Sequence, residues 1–212
     1  MIGAMLFARR QKLRGSLFTA VWLIATLMAG GEVLLSEMAP VNRGGLKDSD
    51  GDSSDWIELF NNGSAPVQLT GYSLSDDSSQ PDQWKLPAIA IAPGSYLIVF
   101  ASGKDRRSAN GSELHTNFKL AAAGDYVGLF APAGKLVSSL GPVMSPIENG
   151  QSFGIPFRDG KPASGGRPAL LSEATPGAPN TGAADSTTLR IPVFSKEHGF
   201  FTKPFRLALK AA

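Results

Sequence analysis

Hydrophobic residues come in short bursts along most of the chain. "VLLSEM", "WIELFN", "VQLTGYSL", "YLIVFA", "YVGLF" and "KLVSSL" are rich in aromatic and branched side chains and are separated by Gly, Pro, Asn and Asp. Each predicts a β-strand. In "SYLIVFA", Tyr96, Ile98 and Phe100 face one way and Leu97, Val99 and Ala101 the other. Both faces are apolar, so this strand belongs in the middle of a sandwich. Asn-Gly at positions 62–63, 110–111 and 149–150 predicts tight reversals, because both residue types tolerate a left-handed backbone. "APGSY" and "APAGKL" add reversals with Pro early in the turn. No stretch after Glu32 reads as a long helix. The pattern predicts an all-β fold, an antiparallel β-sandwich.

The first 31 residues follow a different rule. Arg9, Arg10, Lys12 and Arg14 precede "SLFTAVWLIATLMAGG", whose apolar part from Leu17 to Ala29 is shorter than the ~20 residues a spanning helix needs. This is the pattern of a secretory signal peptide, a signal helix cut near Glu32, with an uncleaved N-terminal membrane anchor as the alternative. Export changes the charge balance. The leader carries four of the 20 basic residues and none of the 18 acidic ones, which leaves 16 against 18 in the mature chain. A mildly acidic domain has no electrostatic footprint for nucleic acid. The chain has no cysteine, so an exported domain of this composition must be held by its core or by bound ions. Roughly 150 residues can bury about 68–70% of their unfolded surface, enough for one core.

The remaining boundaries come from composition. Residues 32–180 form the strand-rich unit, 181–187 a linker, and 188–212 restart as two strand candidates. In the tail Phe205, Leu207 and Leu209 alternate with Arg206, Ala208 and Lys210. Two strands cannot make a core of their own. The tail therefore reads as the opening of a second β-domain whose remainder is absent.

Several blocks, in order, carry a family resemblance: "VLLSEMAP", the acidic run into "DWIELFN", "PVQLTGYSLSDD", "IAPGSYLIVFASGKD", "LHTNFKL", "YVGLFAPAGKLV", "SFG" and "TPGAPN". Together they resemble a bacterial lamin tail domain from about Glu32 to Asn180. The resemblance implies an immunoglobulin-like β-sandwich serving as a non-catalytic module of exported proteins, often beside hydrolase, nuclease or spore coat protein H type kinase domains. The tail "VFSKEHGFFTKPFRLALKA" resembles the start of the Ig-like domain found at the C-terminus of chitobiase and β-hexosaminidase. Two functions follow as expectations. One is a monomeric, non-enzymatic module for adhesion, attachment or spacing at the cell envelope, with a protein or a cell-surface glycan as partner. The other is the N-terminal part of an enzyme whose catalytic domain lies beyond residue 212.

Candidate chemistry concentrates in "DSDGDSSDWIEL". Asp48, Asp50, Asp52 and Asp55 crowd carboxylates onto one loop, and calcium takes six to eight hard oxygens. Asp50 and Asp52 fit positions three and five of a calcium loop that starts at Asp48. Ser53 stands where glycine is needed, however, and Leu59 where a bidentate Glu should be. Two readings stay open: a solvated turn whose side chains bond backbone amides, and an irregular, weak calcium site that Asp76 or Asp77 could assist. Glu58, between Ile57 and Leu59, is expected at an outward or edge-facing polar position.

Other groups point away from catalysis. His115 is expected to be a strand-entry residue bonded to backbone, without a placed partner. Ser75 and Ser152 lack the glycine-flanked nucleophile elbow. "GKDRRSANGS" lacks the phosphate-loop spacing and reads as a mobile polar loop, with Lys104, Arg106 and Arg107 in solvent. Trp56, Trp84, Tyr72 and Tyr96 read as core residues. An exposed Trp84 would instead make a sugar platform.

Overall fold

The structure, a computed structural model, describes residues 33–108, 113–123, 125–143, 146–163, 166–181, 193–194 and 209–210. The signal segment, the Asn110-Gly111 turn and nearly all of the linker lie outside these residues. Fifteen strands follow in order: β1 (Val33–Ala39), β2 (Trp56–Asn61), β3 (Val67–Gln68), β4 (Ser73–Ser75), β5 (Trp84–Lys85), β6 (Ala90–Ile91), β7 (Tyr96–Phe100), β8 (Arg106–Arg107), β9 (Leu114–His115), β10 (Val127–Ala131), β11 (Lys135–Leu140), β12 (Ser152–Gly154), β13 (Phe157–Arg158), β14 (Lys161–Pro162) and β15 (Ala169–Leu171). The described residues contain no α-helix; a 3₁₀ turn at Pro132–Gly134 joins β10 to β11. In the tail, Val193–Phe194 pairs antiparallel with Leu209–Lys210.

The strands form a two-layer β-sandwich. One sheet has the order β15-β12-β1-β2-β7-β9-β8, the other β11-β10-β4-β5, with the small pairs β3-β6 and β13-β14 beside them. All named pairings are antiparallel except β7 with β9, which run parallel through the single pair Phe100↔His115. Between the layers lie Leu35, Ile57, Leu59 and Val99 from the large sheet and Leu74, Trp84, Val127, Leu129 and Leu140 from the small one, all at 0% exposure. Burying a side chain of this size contributes about 1.5–3 kcal/mol. Leu35 N donates to Ser138 Oγ at 3.1 Å, fastening β1 to β11 across the two sheets.

A bulge in β1 sets which residues face the core. Strict alternation in "VLLSEMA" would put Val33, Leu35, Glu37 and Ala39 on one face. The register shifts between Leu35 and Glu37, and Ser36 is the extra residue. Met38 therefore joins the core with Leu35, while Glu37 and Ala39 turn to the opposite face. Glu37 comes to lie directly across from Glu58. That face is covered too. Trp56, Phe100 and Ala39 cluster with Leu46, Ile98 and Ala174, and Phe60, Tyr96 and Phe157 form an aromatic group with centroids 4.7 to 6.3 Å apart. Cover on both sides explains why β7 is apolar on both faces.

Two turn expectations need correction. "VQLTGYSL" is not one strand: Gly71, at φ +83°, turns the chain between β3 and β4, which belong to different sheets. At Asn62-Gly63 neither residue takes positive φ, and β2 does not form a hairpin with β3. The buried Asn61 organises that corner instead. Its Oδ1 accepts from Gly63 N at 2.8 Å, and its Nδ2 donates to Ala65 O and Ile91 O at 2.8 and 2.9 Å. "APGSY" is the expected reversal, with Gly94 at φ +67° and Ser95 N bonded to Ala92 O.

Candidate functional site

The aspartate loop is built by local chemistry. Asp48 Oδ1 accepts from the amides of Asp50 (3.1 Å) and Asp52 (2.8 Å), and Gly51, at φ +85°, lets the chain close so that Asp48 N reaches Asp52 O. This closure gathers three carboxylates. They converge on Lys104, whose Nζ lies 2.5 Å from Asp48, 2.7 Å from Asp50 and 3.0 Å from Asp52, while Arg106 Nη2 lies 2.7 Å from Asp50. Asp55 stands apart. Burial raises its carboxyl to about 6, against a backbone bond from Asn42 and the charge of Lys119. Asp77 holds its own turn through Ser79 and Gln80, and Asp76 is bonded there through its amide to Gln83.

Lys104 and Arg106 are therefore not solvated loop charges, as the sequence suggested. Arg107 is engaged too: it pairs with Asp105 at 2.8 Å and lies 5.5 Å over the Trp84 ring. The electrostatics follow the partners. Burial alone would raise Asp48, but the Lys104 bond and the Asp52 amide bring it below the ordinary value. Arg106 first and Lys104 second lower Asp50 to about 2. The three carboxylates raise Lys104 further above the usual lysine range.

A second network adjoins this one. His115 is fully buried and stacks on Phe100, with ring centroids 5.2 Å apart. Its Nδ1 lies 2.9 Å from Ser102 Oγ and its Nε2 lies 2.9 Å from Glu113 Oε1. The expectation of a backbone-bonded histidine is corrected: both ring nitrogens meet side chains. Lys104 N donates to Ser102 Oγ and Ser49 N to Glu113 Oε1. With Ser102 Oγ donating to Nδ1 and Nε2 donating to Glu113, every donor in this chain is satisfied. The three residue types are those of a hydrolase, but their placement suits structure. Ser102 is 9% exposed and His115 0%, and none of the three lines the cleft described below. Together the networks tie loop 48–52 to β8 and β9 across more than fifty residues of sequence. Asp48, Glu113 and His115 also bring their ligand atoms within 4.8 Å of one another, as do Asp48, Asp50 and Asp52.

The third cluster was missed from sequence. Glu58 was expected to face outward; it is fully buried, as is Glu37 beside it. Segment 173–180 runs over both as a strap. Thr175 N and Oγ1 donate to Glu37 at 3.0 and 3.1 Å, Gly177 N donates to Glu58 at 2.6 Å, Ser36 Oγ donates to Glu58 at 2.7 Å, and Ser152 Oγ donates to Glu37. Asn180 Nδ2 closes the strap onto Ser36 O and Ile155 O at 2.8 and 2.9 Å. Desolvation raises both carboxyls. Glu58 reaches about 8, with the Glu37 charge adding to the rise and the Ser36 and Gly177 bonds opposing it. The early "SE" in β1 and the closing "TPGAPN" were the only sequence signals.

Trp84 is fully buried, and its Nε1 donates to Asp105 Oδ1 at 3.0 Å, so it offers no platform for a sugar.

The comparisons with known proteins address the fold. The lamin tail domain family model matches residues 26–143, a little over half of the chain. The chain belongs to the lamin tail domain family. No curated protein and no solved structure gives a match. The family match stops at Val143, and the large sheet continues past it. Beyond that point β12 pairs with β1, β15 pairs with β12, and the strap reaches Asn180. A lamin tail domain is an immunoglobulin-like domain, compatible with a non-enzymatic module. The match does not reach the tail.

Proposed function

We propose that this lamin tail domain is a non-enzymatic accessory module of an exported protein, serving adhesion, attachment or spacing at the cell envelope. One observation carries the reading: the reactive side chains Ser102, His115, Glu113, Glu37 and Glu58 are buried or enclosed and bonded to one another or to backbone, which suits architecture better than turnover. The leader supports export, and the absence of cysteine fits a domain held by its core. Expression with residues 1–31 in place is expected to release a protein beginning near Glu32, read by the intact mass of the secreted product. A full-length chain found only in the membrane fraction would instead favour the anchor.

The sequence resemblance alone suggests the chitobiase C-terminal type for the tail, and the strand pair Val193–Phe194 with Leu209–Lys210 supports a further β-module after the linker. It leaves room for a second reading, in which this domain precedes a kinase-like or hydrolytic domain. Sequencing the reading frame past Ala212 separates the two.

Calcium belongs to the same proposal. Asp48, Asp50 and Asp52 already surround one cation, the Lys104 ammonium, and a weak calcium site here would draw on the same carboxylates, with Asp55 nearby in sequence. Because calcium must compete with that ammonium, the expected rise in melting temperature is small in millimolar calcium and larger in Lys104→Met. Equal melts in calcium and in chelator for both proteins would remove the metal from the proposal.

A further inference from the structure

A cleft of about 440 Å³ opens between loop 41–46 and the start of the strap, within the size range of small-ligand sites. Its floor is apolar: the accessible lining is Leu46 and Pro176, which lie over the buried Ala39 and Trp56. Its walls carry Arg43 on one segment and Glu173 on another. Among the described residues neither side chain has an ion-pair partner, although both border the same space.

The backbone that carries the walls is fixed in advance. Arg43 N donates to Asn149 Oδ1 at 2.7 Å and Asn149 Nδ2 donates back to Arg43 O at 3.1 Å, a clamp between residues 106 positions apart. Ala174 N donates to Gly150 O at 2.8 Å, which ties the strap to the same turn. Asn42 Nδ2 holds Leu46 O and Ser54 O at 2.6 and 2.8 Å, and a Cβ on Gly45 would stand 2.2 Å from Asn42 Oδ1, so a larger residue there would displace the Asn42 amide. A cleft whose backbone needs no ordering on binding loses less affinity to entropy.

The chemistry narrows the ligand. A simple anion would meet Glu173 and a simple cation would meet Arg43. A sugar needs an exposed ring to stack on, and Trp56 is 1% exposed. A ligand with both charges and an apolar group fits all three surfaces. We propose that the cleft binds short apolar peptides with free termini, the carboxylate on Arg43, the amino group on Glu173 and a side chain on the floor. This deepens the reading of an attachment module by naming its contact. The test uses the purified protein, so a failure of export would leave the peptide site standing.

The test is an NMR titration of the ¹⁵N-labelled protein with Leu-Leu, N-acetyl-Leu-Leu and Leu-Leu-amide. Leu-Leu is expected to shift the amides of Gly44, Gly45, Leu46 and Gly150, and each blocked peptide to bind about tenfold more weakly, as for the loss of one charge-assisted bond. Arg43→Gln should abolish the difference between Leu-Leu and its amide, and Glu173→Gln that between Leu-Leu and its acetyl form. Both side chains are exposed, and unchanged spectra away from the cleft would show that the variants fold. No shift at about 10 mM Leu-Leu, the weak end of measurable affinity, or equal binding of all three peptides, would overturn the proposal.

Discussion

A chain running from Glu32 to Ser172 is expected to lose most of its stability, although it keeps all fifteen strands. The loss is that of the strap. Removing segment 173–180 takes away the Thr175 and Gly177 donors from Glu37 and Glu58 and the two Asn180 bonds to Ser36 and Ile155. It also uncovers Trp56 and Phe100 beside Ala174. Five bonds at about 1 kcal/mol each give about 5 kcal/mol before the apolar cover is counted, against a usual domain stability of about 5–15 kcal/mol. Urea unfolding followed by tryptophan fluorescence reads this directly. A chain cut after Asn180 is expected to unfold as the whole domain does, because the strap stays in place. If the two truncations unfold at the same urea concentration, the strap is not part of the core.

The second large effect is on pH. Glu58 has a folded value of about 8 against an ordinary value of 4.5, so the folded protein holds a proton that the unfolded chain gives up between those values. Stability therefore falls as pH rises from about 4.5 to about 8, by several kcal/mol at about 1.4 kcal/mol per pH unit, and is flat in this group beyond. Glu37, raised by the same burial, and Asp55, at about 6, add to the same slope. The groups held down by ion pairs and hydrogen bonds act oppositely. Asp50, at about 2, and Glu113, lowered chiefly by its bonds to Ser49, contribute stability that is lost as pH falls through their folded values. The maximum is expected on the acid side of neutrality.

Glu58→Gln isolates the main contribution. The amide can accept from Gly177 N and donate to Ser36 Oγ, while the Ser36 hydroxyl turns to Glu58 O at 3.2 Å, which reproduces the bonding of the protonated acid. The variant is expected to match the parent near pH 5 and to exceed it near pH 9 by several kcal/mol in urea titrations. Equal pH slopes for the two proteins would show that Glu58 ionises freely in the fold. Tyr96, raised to about 12 by burial and then by the Glu58 and Glu37 charges, stays neutral across this range.

Sequence by itself determined the long strands β1, β2, β7, β10 and β11, several of the reversals and the burial of Trp56 and Trp84. Those depend on local rules: branched and aromatic runs suit a pleated, covered surface, and Pro-Gly pairs suit tight turns. It also marked Asp48, Asp50, Asp52 and Asp55 as one carboxylate cluster, of which a single loop gathers the first three and leaves Asp55 apart. Only the tertiary structure decided what those carboxylates face. Lys104 lies more than fifty residues away, and no local pattern states that it returns to them. The same holds for Thr175 over Glu37, for Asn149 against Arg43, and for Ser102 beside His115.

The inward turn of Glu58 has a more specific cause. Alternation places it opposite Ile57 and Leu59, away from the sandwich core, and in a simple two-layer fold that face would meet water. Here the strap covers it, and the bulge at Ser36 sets Glu37 alongside. A strand's own sequence fixes its period, but whether its second face is solvated depends on a segment more than a hundred residues later.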